Sequence, residues 1–121
     1  MPYKLMYEKR DGYLYFHVTG EDTLAVSKAY FEEIFETSRT LDMHHILIDE
    51  DLKGALSTME IYELTESIPE MARGQYYKIA FIDKNSTNSE EQEFGVTVAR
   101  NRGLDAQRLS SVSEGEAWLS S

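Results

Sequence analysis

His45-Ile-Leu-Ile-Asp-Glu-Asp-Leu-Lys-Gly-Ala-Leu-Ser-Thr-Met-Glu-Ile-Tyr-Glu-Leu64 decides the fold. Its opening residues, His45 to Asp49, form a short apolar run, the pattern of a strand buried on both faces and hence of a parallel sheet. An acidic loop with Gly54 follows. Ser57 and Glu60 then make an S-x-x-E capping box, with Leu56 and Ile61 as its hydrophobic staple. A strand that leads through a loop into a strongly signalled helix start is where α/β proteins place their working groups.

Upstream, Tyr3 to Arg10 and Tyr13 to Thr19 alternate in polarity and are joined by Asp11-Gly12, a two-residue hairpin signal. That turn sets Tyr7 opposite Phe16 and Leu5 opposite Val18, and Leu14 joins their apolar face. The other face carries Met6, Glu8, Arg10, Tyr13, Tyr15 and His17. These are core if a helix covers them and an exposed patch if none does. Leu24 to Thr37 reads as an amphipathic helix with Ala25, Val26, Tyr30, Phe31, Ile34 and Phe35 inward.

Downstream, Ile61, Leu64 and Ile68 mark a helix from Thr58 that Pro69 should bend or end nearby. Tyr77 to Ile82 is a second buried strand. Glu90 to Arg102 is a helix, with Ser89 and Gln92 as a capping box, Gly103 at its C′ position and Arg100 and Arg102 in its last turn. Ala106 to Leu109 is a short strand. Ser113 and Glu116 make a third box, opening a final helix with Trp118 and Leu119. The order is ββαβαβαβα, and alternating helices and strands require crossover connections. The expected fold class is α/β: a small open mixed sheet, with an N-terminal antiparallel hairpin and then mainly parallel strands joined by crossover helices. At 121 residues the chain is expected to be a single domain, 1–121.

There is no cysteine, which removes disulfides, thiol nucleophiles and zinc knuckles. The first residues show no apolar signal region, and no apolar run is long enough to span a membrane. A cytoplasmic location is therefore expected. The net charge of −10 disfavours phosphate backbones, so no nucleic-acid partner is expected. Residues 31–70 hold eleven acidic side chains against Arg39 and Lys53, a local balance of −9. That concentration favours a protein partner with a basic surface; it also serves solubility.

The element order resembles the STAS domain, the fold of anti-sigma-factor antagonists such as SpoIIAA. Three segments are closer still to the SpoIIAA-like bacterial proteins, whose fold is similar to CRAL-TRIO lipid-transfer domains. These are Ile46-Leu-Ile-Asp49 with Leu52-Lys-Gly54 and Leu56–Leu64; Lys78-Ile-Ala-Phe-Ile-Asp83; and Glu93-Phe-Gly-Val-Thr-Val-Ala-Arg-Asn-Arg-Gly103 with Glu116-Ala-Trp-Leu119. In STAS antagonists a partner kinase phosphorylates a serine at the start of the helix after the central strand. The resemblance makes Ser57, with Thr58 beside it, the candidate phosphoacceptor. The antagonists carry a D-S-x-G-type run there, and this chain has Gly54-Ala-Leu-Ser57. From the residues alone, Ser57 is also a plain N-cap.

Asp49, Glu50 and Asp51 follow a strand end, as in an acidic metal or phosphoacceptor pocket, and equally as in a solvated loop. A receiver-type pocket also needs a lysine near the last strand, where this chain has Gln107 and Arg108. His44 and His45 are adjacent and would point to opposite faces of a strand, which builds no metal site; His17 stands apart. No G-x-S-x-G elbow, phosphate-binding loop or dinucleotide fingerprint is present. No catalytic residue, metal or cofactor is therefore assigned, and a non-enzymatic role is expected.

Two functional readings remain. The first is a protein-interaction module of STAS type that presents Asp49, Glu50, Asp51, Glu60 and Glu63 to a basic partner surface; a homodimer stays open. The second follows from the similarity to lipid-transfer domains. It is a binder of a small apolar or amphipathic ligand, held between the sheet and the Thr58–Pro69 helix and lined by Met59, Tyr62 and Phe94.

Overall fold

The computed structural model describes residues 3–54, 56–83 and 89–121, and for 83 and 89–92 the backbone alone. Among them are strands β1 (Tyr3–Arg10), β2 (Tyr13–Glu21), β3 (His45–Lys53), β4 (Lys78–Asp83) and β5 (Asp105–Leu109). The helices are α1 (Leu24–Leu41), α2 (Thr58–Ala72), α3 (Ser89–Asn101) and α4 (Val112–Leu119). The fold is α/β with the order ββαβαβαβα.

The sheet runs β1-β2-β3-β4-β5. Its first pair is antiparallel and the others are parallel. Gly12 turns the hairpin at φ 83°, a left-handed conformation that suits glycine, and sets Tyr7 against Phe16 and Leu5 against Val18. Because the strands follow chain order, every crossover steps the same way across the sheet. Right-handed crossovers then place α1, α2 and α3 on one face. There Tyr30, Ile34 and Phe35 of α1, Leu64 and Ile68 of α2, and Val96 and Ala99 of α3 share one core with Ile46, Ile48 and Ile79.

The helix α4 covers the other face. Tyr13, Leu47, Ala80, Ile82 and Leu119 are buried there, with Tyr15 and Trp118 packed against them. The aromatic face of the hairpin is thus core at Tyr13, half-buried at Tyr15 and His17, and open at Met6. Gly115 lets α4 approach the sheet: a Cβ there would lie 2.7 Å from Leu47 Cδ1.

Several elements differ from their sequence expectation, each for a physical reason. The acidic loop is strand. β3 continues through Glu50, Asp51, Leu52 and Lys53, because Val18 to Glu21 of β2 supply parallel partners for all four. The helix α1 runs one turn past Thr37, since Leu41 still packs on the core, and Ala25 is exposed. Pro69 sits inside α2, which ends three residues later at Ala72. The missing N–H is tolerated where buried Ile68 and Ala72 hold the last turn on the core. The N-cap of α4 is Ser111, whose Oγ accepts from Glu114 N at 3.2 Å, in place of Ser113. The Ser89–Gln92 box lies outside the described side chains.

Candidate functional site

Between the sheet and its three-helix layer lies a cavity of about 120 Å³. Its wall is largely apolar. The α2 stripe contributes Ile61, Leu64 and Ile68, α3 gives Val96 and Ala99, and the strands give Leu52, Ile79, Phe81 and Ala106. At Gly95 the two helices come close, for a Cβ there would stand 3.1 Å from Ile61 Cγ2.

One end of the cavity is polar. Glu50 reaches it from β3 and Tyr30 from α1, and the Tyr30 hydroxyl donates to Glu50 Oε2 at 3.3 Å. Ser27, one turn before Tyr30, donates to Asp22 Oδ1 at 3.1 Å. Asp22 is held just before α1 by its own N–H, which donates to Lys53 O at 2.8 Å. Burial pushes the Tyr30 phenol well above its ordinary range, and the charges of Glu50 and Asp22 add to the shift. Tyr30 therefore stays a neutral donor beside two carboxylates. Arg108 lines the cavity from β5, level with Phe81.

Glu50, Phe81 and Arg108 all stand toward the C-terminal ends of parallel strands, the end at which α/β sheets bind ligands. The sequential strand order provides no switch-point crevice. The space lies instead under the helix layer.

The residues singled out from sequence are dispersed. Asp49 is 1 % exposed and faces the α4 side, so it does not belong to an exposed acidic surface. Its Oδ2 accepts from the Tyr15 hydroxyl at 2.6 Å. The Tyr15 phenol is pushed up to about 12, chiefly by burial and then by Asp49. The Arg10 guanidinium lies 3.9 Å above the Tyr15 ring. Glu50 turns inward to the cavity, and Asp51 is half-buried. Glu60 is occupied in the capping box: its Oε1 accepts from Ser57 N at 3.0 Å, while Ser57 Oγ accepts from Glu60 N at 3.2 Å. Glu63 is exposed and stands 3.8 Å from Lys28 Nζ.

Ser57 and Thr58 are exposed at the start of α2. Met59, Tyr62 and Phe94 do not line the cavity; they are 76 %, 40 % and 36 % exposed. They sit outside the buried helical stripe, and Tyr62 instead accepts a bond from Arg102 at 3.1 Å. Asp22, Ser27 and Thr65, which also line the cavity, are not among the candidates read from sequence, and Arg108 figures there only as standing near where a receiver-type pocket needs a lysine. For Arg108 a signal existed: it stands two residues beyond buried Ala106 and so shares the inward face of β5.

His44 tilts over Tyr77 at 4.9 Å between centroids, and its Nε2 is 3.6 Å from Asp42 Oδ1. Among the described residues no group of three or more His, Cys, Asp or Glu side chains is placed to hold a metal ion, and no helix is long and apolar enough to cross a membrane. No protein-family model matches the chain, and no curated protein matches it.

Proposed function

We propose that this protein is a non-enzymatic cytoplasmic binding module that takes a small apolar or amphipathic ligand between its sheet and its helices. The cavity under α1, α2 and α3 carries this reading: an apolar chamber with convergent polar groups at one end, the usual make-up of a ligand site. Its volume suits a small body. An apolar cavity of about 150 Å³ holds benzene.

Benzene titration of the isotope-labelled protein tests the reading through its amide spectrum. Shifts are expected around Ile79, Val96 and Ala106, and Ala99→Leu, which fills the chamber, should abolish them. Shifts scattered over the surface, or unchanged by Ala99→Leu, would remove the support.

Protein contact of STAS type is the second reading. The SpoIIAA-like segments support the relationship, and the exposed Met59, Tyr62 and Glu63 on α2 offer a surface. The acidic set first assigned to that contact is weaker, because Asp49 and Glu50 point into the molecule.

A further inference from the structure

We propose that a second copy of this chain pairs with the open edge of β1, antiparallel about a two-fold axis through Met6, to make one continuous sheet with five strands from each copy. This goes beyond the ligand-binding reading and does not depend on it.

The edges of the sheet are unlike. At β5, the Asp105 N–H donates to Tyr77 O at 3.3 Å, so Asp105 turns its backbone toward β4 and Ala106 turns its own outward. That outward carbonyl is taken, because Arg100 Nε donates to Ala106 O at 2.7 Å. β1 has no such cover. Arg10 and Tyr13 close its two-residue turn and bond each other both ways, which directs the backbone of the even-numbered residues of β1 toward β2. Tyr3, Leu5, Tyr7 and Lys9 therefore point their N–H and C=O groups outward, and among the described residues no hydrogen bond reaches them. Met6 and Tyr7 on the same strand are 50 % and 51 % exposed. An unpaired row of this kind is a template for another strand.

Lysine on an edge strand commonly guards against such pairing, so Lys4 and Lys9 decide which register is open. Outward-facing residues must meet outward-facing residues, so the axis of an antiparallel pair of identical strands passes through a residue. Through Tyr7, it would set Lys4 opposite Arg10, like charges that repel across a sheet. Through Leu5, it would leave Glu8 to Arg10 beyond Tyr3 of the other copy. Through Met6, every one of Tyr3, Leu5, Tyr7 and Lys9 finds a backbone partner. Lys4 then stands opposite Glu8 and Leu5 opposite Tyr7, each twice by symmetry, and the Met6 side chains meet on the axis. Glu8 can take this partner: both bonds from Arg10 go to its Oε2, which leaves Oε1. Lys9 falls opposite Tyr3, whose phenol is raised by burial and then by the adjoining Glu33 carboxylate. Both edge lysines thus meet acids, and the exposed apolar side chains are covered.

Sedimentation equilibrium of the intact protein, from micromolar to millimolar concentration, tests the dimer. The mass should rise from 13.9 kDa toward twice that value and stop there. Lys4→Glu places like charges at both symmetric positions and should weaken association at least about tenfold, as should Glu8→Lys. Both side chains are exposed, so circular dichroism should show each variant folded. Combining the reversals in one chain restores opposite charges and should bring the affinity back to within about threefold of the parent. An equimolar mixture of the two single variants should also associate. A chain that stays monomeric at millimolar concentration, or grows past the dimer, would overturn the proposal. So would a dimer untouched by the single reversals, or one that the combined reversal fails to restore.

Discussion

Tyr77 is fully buried, with its ring edge-on to Phe35 at 4.9 Å, yet its hydroxyl meets no hydrogen-bond partner among the described residues. A buried hydroxyl left unmet costs about 1–3 kcal/mol. Tyr77→Phe keeps the ring and removes that cost, so it should stabilise the fold by about 1 kcal/mol. The shift of the urea midpoint measures it, and a loss of stability would mean that the oxygen is bonded after all. Single residues were also the hardest scale to read in advance. Asp49 and Glu50 look alike in the sequence, but a strand points successive side chains to opposite faces. Once β3 runs on to Lys53, one acid faces Tyr15 and the other the cavity. The acids themselves concealed that extension, because a run of charge resembles a loop. The partners on β2 that make it a strand lie some thirty residues upstream.

At the scale of elements, the start of α2 was legible and the start of α4 was not. Ser57 and Glu60 exchange both capping bonds as expected. Ser57→Ala should cost about 1 kcal/mol, measured by denaturant melting. A loss far below this would mean that the cap is dispensable and would return interest to Ser57 as a phosphoacceptor. Before α4, two overlapping boxes fit the rule, Ser111 with Glu114 and Ser113 with Glu116. Spacing cannot choose between them. The sheet chooses, because the frame from Ser111 turns Gly115 and Leu119 onto it. The same limit explains Met59 and Tyr62. The stripe of α2 could be read from Ile61, Leu64 and Ile68, but large apolar residues beside a stripe are not thereby inside it.

Across the whole molecule, five tyrosines titrate above their ordinary value: Tyr3, Tyr13, Tyr15, Tyr30 and Tyr76. A raised folded value means that the unfolded chain gives up these protons first. The stability they carry is complete below pH 10.0 and falls as pH climbs, for Tyr15 through about 12. Phenolate absorbance and the melting temperature, followed together over that window, should show unfolding as the phenols ionise. Tyr15→Phe should flatten the fall, and a melting temperature that holds through the window would count against these shifts. Element order and fold class could be read from the sequence because turn, cap and periodicity signals are local. A ligand space between the sheet and α2 was expected from the resemblance, but its lining could not be read, since the wall is set by three helices that meet only in the folded chain.

The strand order has a consequence for how the molecule is made. Every strand of the sheet lies beside the one that precedes it in the chain. No strand has to insert between two already paired, and none waits for a distant partner. A chain emerging from the ribosome can lay down its sheet in the order of synthesis, each crossover helix docking before the next strand arrives. Growth then proceeds at one edge of the sheet, each new strand covering the edge left by the last, while the outer edge of β1 gains no partner among the described strands.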